Sequence, residues 1–242
     1  MTKTKKVLYL AAAIVVVAVT VVALASGRGK EKNVAENYQP IVGAKASSYE
    51  PVVGALEIGV NDNLIGSEKA PLKIFVYEDY SNIYTADLAE TLNKLKLEFD
   101  DKFVIISRPY ALAGSSLSRE AALATICAKD LGKKWEEMRI ALLTATKNGT
   151  LQSGGLSLVA ADIDINEEEF NACLTNEEKS VKLDAVMSDA EKSLVLGAPT
   201  MFVGDEMILG ARPYSDFVDS NGDAIEGLKT VVERKISETV NK

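Results

Sequence analysis

Apolar positions along the chain fall into distinct regimes. Val7 to Ser26 carries no charge over 20 residues and follows Lys3, Lys5 and Lys6. At about 1.5 Å per residue, such a run covers the roughly 30 Å of a bilayer's hydrocarbon core. It predicts a transmembrane signal-anchor over 7–26, with 1–6 cytoplasmic because the short N-terminus is the easier end to keep inside. Ala23-Leu24-Ala25 also fits a small-x-small cleavage pattern, so a processed signal peptide is the alternative. Residues 27–55 are polar with scattered apolar positions and read as an extracytoplasmic linker, leaving 56–242 as the folded domain.

Within that domain the period changes. Leu72 to Tyr77 and Phe103 to Ile106 are nearly continuous apolar runs, as expected for strands covered on both faces. Between them Leu88, Leu92, Leu95 and Phe99 stand at i, i+4, i+7 and i+11, one stripe of a helix over 83–99. Strand, helix and strand of these lengths predict a parallel crossover pair. Ser115 to Leu196 keeps a helical period throughout, with Asn166 and Glu169 placed as a capping box and Leu183, Val186, Ala190 and Leu194 as an apolar face. Met201-Phe202-Val203 and Met207-Ile208-Leu209 flank Gly204-Asp205 and predict a hairpin. Tyr214 to Val240 reads as a closing helix, interrupted near Asn221-Gly222. The class is α/β with a helical insertion over about 115–196.

Charge and composition narrow the chemistry. The first 32 residues hold six of the 27 basic residues and one of the 35 acidic ones, so the remainder carries 21 against 34, a net −13. A domain that acidic repels nucleic acid and anionic lipid. The chain has no histidine, which excludes Ser-His-Asp triads, Cys-His pairs and histidine metal sites. Asp219 to Asp223 opens like a calcium loop, but Ala224 and Thr230 stand at its sixth and twelfth positions, so a solvated turn is expected. No cofactor and no metal is expected.

Leu72 to Tyr84, LKIFVYEDYSNIY, read with Gly197-Ala198-Pro199-Thr200, resembles the two halves of a thioredoxin-type active site. Ser107 to Leu112, the alanine-rich Ala121-Ala122 with Trp135, and Phe170 to Leu174 follow in matching order over roughly 56 to 240. The chain is therefore identified as similar to the DsbA-like thioredoxin-fold family of thiol-disulfide oxidoreductases, as a degenerate member lacking the Cys-x-x-Cys motif. The resemblance implies a thioredoxin-like fold with a DsbA-type inserted helical subdomain. Ser81 and Tyr84 are expected at the cysteine positions, and Ala198-Pro199 as a cis-proline loop beside which extended polypeptide pairs. The implied substrate-binding set is Ser81, Asn82, Ile83, Tyr84, Ala198, Pro199 and Thr200.

Each residue also has a plainer role. Ser81 is expected to cap the helix through its oxygen, and Glu78 and Asp79 to be helix-entry acids favoured by the dipole. The only thiols, Cys127 and Cys173, lie where family members sometimes carry a second, structural disulfide; two buried free cysteines are the alternative. Trp135, Met138 and Leu142 are expected in the core.

Function divides three ways on these readings. The first is a redox-inactive, membrane-tethered module binding extracytoplasmic polypeptides. The second is an enzyme, either a thiol-disulfide oxidoreductase or a serine-assisted thiol transferase. The third is a structural subunit of a membrane assembly.

Overall fold

The computed structural model describes residues 56–240 apart from Lys133, so the expected span over 7–26 and the linker lie outside the described residues. Among the described residues no helix is long and apolar enough to cross a membrane.

The elements are β1 (Asn63–Ile65), β2 (Leu72–Glu78), α1 (Ile83–Phe99), β3 (Phe103–Pro109), α2 (Ser116–Asp130), α3 (Trp135–Lys147), α4 (Leu156–Asp162), α5 (Glu167–Leu174), α6 (Glu177–Lys192), β4 (Thr200–Val203), β5 (Glu206–Leu209), β6 (Phe217–Val218), β7 (Ala224–Ile225) and α7 (Leu228–Val240). Five strands form one sheet in the order β1-β3-β2-β4-β5, with β6 and β7 a separate small hairpin. The pair β2 and β3 is parallel, Leu72 opposite Phe103 through Glu78 opposite Pro109. On its other side β2 meets β4 antiparallel, Tyr77 opposite Thr200, and β4 turns back into β5 through Gly204 at φ 64°. This is the expected thioredoxin-like core.

The period of 2 along β2 sorts its side chains onto two faces. Leu72, Ile74 and Val76 pack with Leu88, Leu92 and Leu95 of α1 and with Leu228, Val231 and Val232 of α7. Phe75 and Tyr77 face the other way, onto Val104, Ile106, Phe202 and Ala190 of α6. Each such fully buried aliphatic or aromatic side chain contributes about 1.5–3 kcal/mol of transfer free energy. The helical block has its own core of Ala121, Ala124, Met138, Leu142 and Phe170, which Tyr80, Ala86 and Ala89 join from the sheet side.

Several expectations are corrected. β1, three residues ending before Gly66 at φ 107°, pairs antiparallel with β3 and is too short to show a period. Tyr214 to Gly227 is not helical. Asp216 accepts from Gly227 N and from the Thr230 hydroxyl, and a Cβ on Gly227 would lie 2.2 Å from the Ser215 carbonyl carbon, so this stretch is folded tightly against the start of α7. Leu194 falls past the end of α6 at φ 59° and is exposed. Met138 and Leu142 are in the core as expected, whereas Trp135 opens α3 only half-buried. The Asp219 carboxylate is occupied by Asn221 N and Asp223 N of its own turn.

Candidate functional site

The site forms where β2 runs out into α1. Asp79 is buried, and its Oδ1 accepts from Ser81 N at 2.9 Å and from the Ser81 hydroxyl at 2.6 Å. Ser81 therefore faces back into the turn and does not cap the helix as expected. The cap is Asn82, in extended conformation, whose Oδ1 accepts from Tyr84 N at 2.9 Å. An asparagine suits that position because its short carbonyl reaches the orphan N–H groups of the first turn. The other end of the same amide donates from Nδ2 to Ala198 O, also at 2.9 Å. The two sequence stretches, 116 residues apart, are thus joined by one side chain.

The Ala198–Pro199 peptide is cis, as the resemblance implied. Pro199 O accepts from Gly210 N, and the buried Thr200 spends its hydroxyl on Gly197 O. Of the implied binding residues, Ile83 (41% exposed) and Tyr84 (61%) reach solvent, with Leu196 (86%) just before the proline loop. Ser81, Asn82 and Ala198 are half-buried, and Pro199 and Thr200 are buried. Thr85, one turn into α1, is fully buried with its hydroxyl unpartnered among the described residues.

Beneath this surface lies a buried polar network that the sequence reading did not anticipate. Glu78, expected as a helix-entry acid, is 1% exposed and bound bidentately by Arg139 of α3, with Nε to Oε2 at 2.8 Å and Nη2 to Oε1 at 2.5 Å. The Ser107 hydroxyl donates to Glu78 Oε2 at 2.5 Å, which leaves the Ser107 oxygen to accept from Tyr80 OH at 3.3 Å. Burial, reinforced by the Glu78 carboxylate, pushes the Tyr80 hydroxyl well above the usual tyrosine range and keeps it a neutral donor. Burial opposes charge on Arg139, but the Glu78 carboxylate outweighs it and raises the guanidinium pKa. Arg139 was findable: it stands four residues after Trp135 and one after Met138, so the apolar face of α3 carries a lone cation.

A second arginine, Arg108 at the end of β3, holds the entering chain. Its Nε and Nη2 bind Asp62 Oδ1 and Oδ2, each at 2.7 Å, Nη1 donates to Tyr77 OH, and Nη2 also to Glu57 O. Burial alone would lower its pKa; the hydrogen-bonded Asp62 carboxylate raises it instead.

Cys127 of α2 and Cys173 of α5 are disulfide-bonded within the core of the helical block. The chain contains only these two cysteines, so it has no free thiol.

Comparison with known proteins agrees with this architecture. The structure is similar to a thioredoxin-like oxidoreductase from Silicibacter pomeroyi DSS-3, with a TM-score of 0.61 and 18% identity over 76% of this chain and 95% of that one. It is also similar to the thiol-disulfide exchange protein alpha-DsbA2 from Wolbachia pipientis (TM-score 0.58, 20% identity, 74% and 87% covered) and to the catalytic domain of Proteus mirabilis ScsC (TM-score 0.58, 20% identity, 75% and 93% covered). A stretch of 143 residues, 59% of the chain, is 23% identical to part of a Na(+)/H(+) antiporter NhaA from Nitrosospira multiformis; the match spans 22% of that protein's length. The family model described as thioredoxin matches residues 59–220, well over half of the sequence, and the chain accordingly belongs to the thioredoxin family.

Proposed function

We propose that this protein is a redox-inactive, membrane-tethered thioredoxin-fold module that binds extended segments of extracytoplasmic polypeptides. The observation that carries this reading is Asn82. The N-cap of α1, set against the residue before the cis-proline, holds a carboxamide bonded to Ala198 O where the family's chemistry needs a sulfur. Thiol-disulfide exchange proceeds through a thiolate and a mixed disulfide, which neither Asn82 nor the Asp79-bound Ser81 can form. A serine-assisted thiol transferase would need the Ser81 hydroxyl aimed outward, whereas it donates to Asp79.

We read the site one residue later than the sequence suggested. Asn82 and Thr85 are the cap and the buried third helical position, one half-buried and facing the loop, the other fully buried. Ser81 and Tyr84 each stand one residue before a member of that pair. The exposed Ile83, Tyr84 and Leu196 then supply apolar contacts for a bound chain.

A carboxymethylated, permanently unfolded polypeptide should bind the protein, and Tyr84→Ser combined with Leu196→Ser should weaken that binding about tenfold, the order of 1.4 kcal/mol. The wild type should reduce insulin no faster than buffer. Insulin reduction that disappears with Cys127→Ser would instead place exchange chemistry at the disulfide of the helical block.

The tether rests on the Val7–Ser26 run. Similarity of part of the chain to an antiporter supports a membrane setting. Full-length protein is expected to pellet with membranes and to resist carbonate extraction, with the domain open to external protease. A soluble form beginning near Ser26 would establish cleavage.

A further inference from the structure

Among the described residues two side-chain atoms are sealed in the interior without a hydrogen-bond partner, Thr85 Oγ1 and Asn63 Oδ1. Asn63, in β1, is 4% exposed and lines a cavity of about 60 Å³ bordered by β1, the end of β3, α2 and α6. Asn63 and Pro109 are its buried members, Ile126 and Val186 are half-buried apolar ones, and Lys129, Lys182 and Asp130 bring charge to it. A buried acceptor left without a donor is destabilising, so an occupant that carries an N–H or O–H is favoured here.

Charge sets a second requirement. The domain as a whole is acidic, yet around this cavity lysines outnumber carboxylates. Lys129 Nζ donates to Asn61 O and Asp62 O, each at 3.1 Å, and makes no ion pair among the described residues. Lys179 and Lys182 share a single oxygen, Asp130 Oδ2, at 2.5 and 3.1 Å. The neighbouring Asp62 carboxylate is already held by Arg108. Burial outweighs the Asp62 and Asp130 carboxylates at Lys129 and keeps its pKa below the usual lysine value, as expected of an ammonium short of countercharge. Such a lining attracts an anion and repels a cation.

Each requirement excludes a class of occupant. Nitrate, chloride and a simple carboxylate have the charge but no donor for Asn63. Water, an alcohol or an amide has the donor but not the charge. An oxyanion that keeps one proton has both. Size narrows the choice, because a cavity of about 150 Å³ takes the six carbons of benzene. On that scale about 60 Å³ holds two or three heavy atoms, with any further atom at the mouth. We propose that this cavity binds a small oxyanion bearing its own hydroxyl, of the size of hydrogen carbonate. The hydroxyl donates to Asn63 Oδ1, and the other oxygens accept from Lys129 and Lys182. The site shares no residue with the Asn82 and Ala198 face and is independent of the polypeptide-binding reading.

Hydrogen carbonate, nitrate and urea are planar and of one size, and they separate the two requirements: the first has charge and donor, the second only charge, the third only donors. Each is titrated into full-length protein in detergent, in a sealed tube at constant ionic strength. Hydrogen carbonate should shift the NMR signals of the Asn63 side-chain amide and of Lys129 Nζ, and bind about tenfold tighter than nitrate or urea, the order of 1.4 kcal/mol. Asn63→Leu should abolish its advantage over nitrate. If that variant fails to fold, Lys182→Gln, partly exposed on α6, should weaken hydrogen carbonate and nitrate about tenfold each and leave urea unchanged. Nitrate or urea binding as tightly as hydrogen carbonate would overturn the site. So would an advantage over nitrate that survives Asn63→Leu, indifference to Lys182→Gln, or signals of Asn63 and Lys129 that do not move, the result for a cavity holding water only.

Discussion

Glu78→Ala should destabilise the folded domain by about 3–5 kcal/mol, the cost of stranding an ionised partner in the interior. The removed carboxylate accepts three hydrogen bonds, two from Arg139 and one from Ser107, and all four participants, Tyr80 included, are sealed from water. Arg139 cannot discharge itself, because a guanidinium stays protonated at any accessible pH. At about 2–4 °C per kcal/mol for a domain of roughly 150–250 residues, the melting temperature should fall by about 6–20 °C. Combining Glu78→Leu with Arg139→Met removes both charges at similar volume and should recover most of that loss, since apolar replacement of a buried pair is often neutral or stabilising. A melting curve for Glu78→Ala within about 1 °C of wild type, less than the shift expected from 1 kcal/mol, would show that the pair does not hold the fold. The comparison separates the worth of the pair from the cost of breaking it.

Reduction of Cys127–Cys173, or Cys173→Ser, should cost a similar amount. The bridge spans 46 residues of sequence. On the chain-entropy account, closing a loop of that length restricts the unfolded state by about 4 kcal/mol. That corresponds to a fall of about 8–16 °C in melting temperature. The bridge joins α2 to α5 inside the apolar core of the helical block and neither cysteine takes part in the Asn82–Ala198 contact, so polypeptide binding measured below the transition should be unchanged. Native protein should show no titratable thiol until it is reduced. Two free thiols in protein taken from an oxidising compartment, or binding lost together with the bridge, would contradict this assignment.

How far the sequence could be read depended on the range of the interaction concerned. The strands β2, β3, β4 and β5 and the helix α1 were legible because their apolar periods belong to the segment itself. The disulfide and the cis-proline came through the resemblance alone; neither has a local period. The cap was misplaced by one residue because serine and asparagine are both good caps, and only the contact with Ala198, 116 residues away, distinguishes them. Glu78 was misjudged for the same reason. An acid just before a helix has a sufficient local explanation in the helix dipole, and the partner that buries it lies 61 residues further on, in α3. The stretch Tyr214 to Gly227 failed differently: its apolar residues suggested a helix, but Gly227 must approach the Ser215 backbone so closely that no Cβ would fit.

The Arg108 clamp bears on how the domain would carry mechanical load. Force applied through the N-terminal segment meets Glu57 and Asp62 first, and both are held by Arg108, a residue of β3, whose neighbours in the sheet are β1 and β2. A pull from that side is therefore transmitted at once into an interior strand through Arg108 and into α2 of the insertion through Lys129, whose Nζ donates to Asn61 O and Asp62 O, each at 3.1 Å. Peeling away residues 57–62 means rupturing a two-point guanidinium-carboxylate pair and a carbonyl contact at Arg108 together with two carbonyl contacts at Lys129, so the first mechanical yield point of the folded chain is that pair of cations.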